Sequence, residues 1–276
     1  MTNRAQIRLL NIMTAVCVLI AAVSGILMAG EVADSRANKA LLESLAQAAV
    51  VKDKSTSDDA VRGSLTERNA SVMQNEEEPL LDLRKKRQEH YAGLKEENPD
   101  MAGWISIEGS RIDYPVTQSI DRPDFYLTHN FQGKESGFGN PYLSEICDLT
   151  ENPDNLILYG HHMKDGSMFA DLMNYTAEDY YKEHSTIRYD TLTELGDYRI
   201  IAVLYTLTGE QETGLYRAMR ASNREEYENY VSEAIQRSIY DTGLRASYGE
   251  KLLTLITCEY SKGDGRLVIV AKKQSV

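Results

Sequence analysis

The chain has 276 residues, of which 42% are hydrophobic and 26% charged, enough for a sizeable core in one or two domains. Its 42 acidic residues outnumber 30 basic ones for a formal net charge of -12. That balance excludes a general nucleic-acid binder, which would carry a basic footprint.

Leu9 to Met28 is an apolar run without a charged residue, preceded by Arg4 and Arg8. It has about bilayer-spanning length, and positive charge on its short N-terminal side predicts that end in the cytoplasm and the rest outside. A cleaved signal peptide is the rival reading, because Leu27-Met28-Ala29 is followed by Gly30 and small residues suit a cleavage site. The run exceeds the roughly 7 to 15 residues of a signal core, so an uncleaved anchor over residues 1–30 is favoured. Both readings export the chain.

Ala37 to Val51 has helix-forming composition, with Leu41, Leu42, Leu45 and Ala49 at helical spacing, and reads as a juxtamembrane helix. Lys52 to Glu78 is polar and charged without an apolar period, which predicts a flexible stalk and closes a segment running over 31–78. Leu80, Leu83, Arg87, Tyr91 and Leu94 then share one side of a helix that Asn98-Pro99 stops. It should lie against a working domain spanning 79–276.

From Gly103 the pattern becomes short β segments: GWISIEG, RIDYPVTQ, NLILYG, STIRYDTL and DYRIIAVLYT. The last is a pair of strands within Thr254 to Lys273, joined by a polar, glycine-containing loop. The class is mainly β with helices, an antiparallel barrel or sandwich. Ser222 with Glu225 makes a capping-box pattern, and Tyr227, Tyr230, Val231, Ala234 and Ile235 form the stripe of a helix between the strand ending near Leu207 and the strand carrying Cys258. A second short helix is expected over Ser167 to Met173.

Three places carry chemistry. Cys258 ends one strand, Arg266 begins the next, and His161 and His162 follow NLILYG. A cysteine is a good nucleophile only as thiolate, and histidine can take and return a proton near neutral pH. Arginine stays charged and can hold a developing oxyanion. Together they are the minimum parts for acyl transfer through a thioester. Adjacent histidines on a strand would face opposite sides, so one of the pair should enter the site, and spacing does not choose which.

Taken singly, a strand cysteine is more often an apolar filler and a histidine pair more often structural; the combination reverses that. Cys147 could form a disulfide with Cys258 in an oxidising compartment, but this would consume the candidate nucleophile. Cys17 lies in the apolar run, and His90, His129 and His184 have no local constellation.

The motifs YGHHMKDGSMFADL (Tyr159 to Leu172), TLITCEY (Thr254 to Tyr260) and Arg266 followed by LVIVAKK resemble those of the sortases, more closely class B. ENPDMAGWI and FYLTHNFQGKESGFGNPYL extend the resemblance from about Leu80 onward. It implies an eight-stranded β-barrel with an N-terminal helical segment, in a membrane-anchored cysteine transpeptidase of Gram-positive type bacteria. By the same resemblance Cys258 attacks the carbonyl after Thr in an LPxTG-like or NPxTN-like sorting motif of a surface protein. An amine of a peptidoglycan precursor or a pilin then resolves the thioester. His161, the first of the pair, is the implied acid and base, and Arg266 the implied oxyanion holder. No metal or other cofactor is implied. The compact SKGDG loop between Cys258 and Arg266 leaves the preferred motif open. A papain-like cysteine hydrolase would use water as acceptor, but its local sequence differs, and a noncatalytic peptide-binding module would not need Cys258.

Overall fold

The computed structural model describes residues 3–49, 85–86, 88–151, 153–207, 219, 223–259 and 265–274. The chain divides into two units, Met1–Leu41 and Leu42–Val276. Residues 3–41 of the first unit belong to helix α1 (Asn3–Ala49), which runs unbroken through the apolar run and on to Ala49 of the juxtamembrane stretch. Met13, Leu19, Ile26 and Met28 all stand exposed along it. It is the one described helix long and apolar enough to cross a membrane. The proposed stalk lies outside the described residues.

The second unit is a closed barrel of eight strands in the order β1-β2-β3-β4-β7-β8-β6-β5. The strands are β1 (Met101–Ser106), β2 (Asp113–Thr117), β3 (Tyr142–Leu143), β4 (Asn155–Tyr159), β5 (Thr186–Thr191), β6 (Asp197–Leu207), β7 (Leu252–Glu259) and β8 (Gly265–Lys273). Each segment read as a strand from its pattern is one, and β3 is an addition too short to show a period. The barrel is mixed rather than wholly antiparallel, because β2 pairs with β3 and β4 with β7 in parallel. Parallel neighbours need long crossovers, and β4 to β7 is such a crossover, carrying β5, β6 and their flanking helices.

Helix α2, residues 88–97, buries Tyr91 and Leu94 and sets the Tyr91 ring parallel to Trp104 of β1, with 6.0 Å between centroids. Leu80, Leu83 and Arg87 of the expected stripe lie outside the described residues. Asn98 ends the helix: its N–H returns to the Leu94 carbonyl, while its side chain donates to the Phe131 carbonyl and the Tyr126 hydroxyl. The helix expected over Ser167 to Met173 begins later, as a 3-10 turn over Ala170–Thr176 followed by helix α3 (Glu178–Glu183). Ser167 is instead held by Asp165, whose carboxylate accepts from both its N–H and its hydroxyl.

Helix α4 (Arg224–Arg237) lies between β6 and β7 in sequence and buries Tyr227, Tyr230, Val231 and Ala234. Its cap is Asn223, whose side chain accepts from the Glu226 N–H, one position beyond the expected Ser222; Ser222 is outside the described residues. Both residues have a glutamate three positions on, so the capping pattern is degenerate by one step.

Leu252 to Thr257 of β7 are buried without alternation, as expected for a strand covered on both faces. On the face of Thr254, Tyr230 of α4 donates to the Thr254 hydroxyl, which donates to Asn155 Oδ1. The other face carries Leu253 and Leu255, fully buried.

Candidate active site

Cys258 and Arg266 stand directly opposite each other in the antiparallel β7–β8 pair, so their side chains leave the sheet on the same face. By strand alternation this is the face of Thr254 and Ile256. Those two are sealed, whereas Cys258 and Arg266 are partly exposed at the end of the hairpin. The Arg266 guanidinium donates to the neighbouring Gly265 carbonyl at 2.9 Å and has no carboxylate partner among the described residues. Tyr260 and the centre of the SKGDG loop lie outside the described residues.

Strand β4 delivers the histidines. Its parallel register with β7 sets Tyr159 beside Ile256, and the ladder extends one step further as the Gly160 N–H donates to the Ile256 carbonyl. The Thr257 hydroxyl donates to the Gly160 carbonyl at 2.8 Å. The next residue along that register is His161, level with Cys258. Gly160 admits no side chain: a Cβ there would lie 2.6 Å from the Phe169 ring. Phe169 is fully buried, and its N–H donates to the His161 carbonyl at 2.8 Å. The glycine before the histidine therefore lets the returning loop close onto the strand end.

The two rings are held differently. His161 Nε2 lies 2.7 Å from the Leu127 carbonyl. A carbonyl only accepts, so Nε2 carries the proton, and Nδ1 has no hydrogen-bond partner among the described residues. Leu127 belongs to a 3-10 turn, Phe125–Leu127, in which Tyr126 is buried with its hydroxyl on Asn98 and Asp100. His162 Nδ1 instead donates to the Cys258 carbonyl at 3.1 Å, tying the chain after β4 to the strand that carries the cysteine. No hydrogen bond links the Cys258 sulfur to either ring among the described residues, so β4 and β7 bring these groups to one strand end without pairing them directly.

The second cysteine of the barrel is enclosed. Cys147 is buried and free; its sulfur accepts from the Ile157 N–H at 3.3 Å, and its S–H points to the Asn155 carbonyl. Burial pushes its thiol up to about 11, only partly offset by the Ile157 N–H. Cys258 is also free, so no disulfide joins them.

The sequence pattern did not reveal the Leu127 carbonyl as the partner of His161. A main-chain acceptor has no side-chain signature, and it arrives from 34 residues upstream.

A closed mixed barrel with a cysteine and an arginine facing each other across its last hairpin, and a Gly-His step on the parallel neighbour, is the arrangement of a sortase. Residues 105–274 match the sortase domain. The chain is 35% identical over 182 residues to sortase B of Listeria monocytogenes, spanning 65% of this chain and 72% of that protein. It is 29% identical over 196 residues to sortase B of Staphylococcus aureus, spanning 69% and 78%. The crystal structure of Clostridium perfringens sortase B superposes with a TM-score of 0.61 at 31% identity, covering 67% of this chain and 99% of that one. The chain belongs to the sortase family, the cysteine transpeptidases, and within it to class B.

Proposed function

We propose that this sortase is a membrane-anchored transpeptidase that cleaves the sorting motif of a surface protein after Thr and transfers the acyl group to an amine of a peptidoglycan precursor or a pilin. The observation that carries the reading is the Cys258–Arg266 cross-strand pair with His161, two residues past the end of β4, level with Cys258 in the continued β4–β7 register. Helix α1 supports an anchor over residues 1–30, with the N-terminus cytoplasmic and the domain from residue 79 outside.

The Cys258 thiolate attacks the Thr carbonyl carbon, forming a C–S bond and an oxyanion. The Arg266 guanidinium, fixed at the mouth of the hairpin, stabilises that charge as it develops. Collapse breaks the peptide C–N bond, and His161, as imidazolium, gives its proton to the departing amine. The acceptor amine then attacks the thioester, His161 takes its proton, and the C–S bond breaks to regenerate the thiolate. Because no hydrogen bond joins the Cys258 sulfur to an imidazole among the described residues, proton exchange between them requires closer approach once a peptide is seated. The Leu127 carbonyl holds the His161 ring in one orientation through both steps.

The test uses the full chain in detergent micelles with fluorogenic peptides bearing LPxTG-like and NPxTN-like motifs, with and without added amine. The expected result is a mass adduct on Cys258 and a ligated product that grows with amine. Cleavage indifferent to amine would identify a hydrolase, and absence of an adduct with every peptide would reject the transpeptidase.

A further inference from the structure

The loop from Met163 to Met168, which leaves His161 and His162 and returns to them, is gripped from outside by a residue of another part of the chain. Arg111, in the turn between β1 and β2, donates its main-chain N–H and its Nε to Asp171 Oδ2, and one Nη to Asp171 Oδ1 at 2.8 Å. Its other Nη donates to the Asp165 carbonyl. Asp165 lies near the tip of the loop and Asp171 just past its exit, so one guanidinium brackets both. The planar fork of arginine suits this two-point hold, which a lysine could not reproduce.

The loop is shaped around that side chain. Gly166 has φ +82, and a Cβ on it would fall onto the Arg111 guanidinium. Met168 is a buried non-glycine residue at φ +55, a left-handed conformation that persists only where its surroundings impose it. Next to it, Phe169 packs on Gly160 and donates to the His161 carbonyl, and Met168 itself bridges to His162. Relaxation of Met168 would draw Phe169 away from the strand end where His161 sits.

We propose that Arg111 is a positioning residue for His161, acting through Asp171 and the Asp165 carbonyl on the loop that fixes the histidine's backbone. The inference rests on the acid–base role of His161. Arg111 touches neither the histidine ring nor Cys258, and its side chain is 61% exposed. Asp171 is only 12% exposed, so Arg111→Ala alone leaves a partly buried carboxylate without its partner; the double variant removes that carboxylate as well and separates loss of function from loss of fold.

The experiment compares Arg111→Ala, Arg111→Lys, Asp171→Ala and the double Arg111→Ala/Asp171→Ala variant with wild type, as full chains in micelles. His161→Ala and Cys258→Ala serve as references. Arg111→Ala is expected to lower kcat about five- to twentyfold with little change in KM. The melting temperature of the double variant, and the rate of Cys258 alkylation by iodoacetamide in both that variant and Arg111→Ala, should stay near wild type. Arg111→Lys should recover part of the loss, and the double variant should fall no further than the single ones, since both act through one clamp. An unchanged kcat in Arg111→Ala while His161→Ala is inactive overturns this inference alone. A loss that tracks the unfolded fraction, or that multiplies in the double variant, also overturns it. Retained activity in His161→Ala removes the acid–base reading itself and this inference with it.

Discussion

Cys147 and Cys258 carry the same thiol in two regions of one barrel. Cys147 lies in the connection from β3 to β4 with 1% of its surface exposed, and both its hydrogen-bonding capacities are met by main chain. Cys258 sits at the partly exposed end of β7, opposite a guanidinium. Residue type alone does not make a nucleophile: burial suppresses the thiolate, whereas a facing cation and an open strand end favour it. Iodoacetamide should therefore modify Cys258 in the folded chain and leave Cys147 untouched until denaturant is added, as peptide mass mapping would show. Cys258→Ala should reduce transpeptidation about a thousandfold or more. Equal labelling of both thiols in the native protein would dissolve the contrast.

The two histidines sharpen it. Their rings leave the same strand end, yet one is bonded to the Leu127 carbonyl and the other to the carbonyl of Cys258 itself. His161→Ala should cost about 10²- to 10⁴-fold in kcat, the range of a general acid–base group. His162→Ala removes one hydrogen bond that steadies the cysteine's strand and should cost about tenfold or less. Steady-state kinetics on both variants distinguishes the roles, and a reversed order would exchange the two residues.

Much of this was readable before any coordinates. The barrel strands announce themselves because short β-branched and aromatic segments alternate with turn residues, and the hairpin around Cys258 and Arg266 because its apolar run is interrupted only by a polar loop. The resemblance then joined these residues to the Gly-His step. What stayed hidden has physical reasons. β3 is two residues long, below any period. The capping pattern fits Ser222 and Asn223 alike, and only the bond from the Glu226 N–H decides. The parallel pairing of β4 with β7, which sets His161 level with Cys258, is a long-range choice with no local signal. Gly166 looks like an ordinary turn glycine until Arg111, 55 positions away in the β1–β2 hairpin, is seen lying on it.

The smallest expected effect comes from the silent partner of the comparison. Cys147→Ala should leave turnover unchanged, since the thiol lies away from the site, but it strips the Ile157 N–H of its acceptor. A buried donor left unsatisfied costs about 1–3 kcal/mol, readable as a lower melting temperature. The pH dependence carries the finer signature. Burial raises the Cys147 thiol from its ordinary value of 9.0 to about 11, so between these values the unfolded chain has already lost a proton that the folded one keeps. The stabilisation is complete below the ordinary value and disappears as pH rises through about 11. The wild-type melting temperature should fall across that interval. Buried tyrosines such as Tyr114, also held up by burial, contribute to the same fall in both proteins. Cys147→Ala lacks one titrating group and should fall less steeply, so that the gap between the two proteins narrows as the solution becomes more alkaline. A gap of constant width would mean that the Cys147 thiol ionises in the folded barrel as it does in water, and that the enclosure separating it from Cys258 is looser than its neighbours suggest.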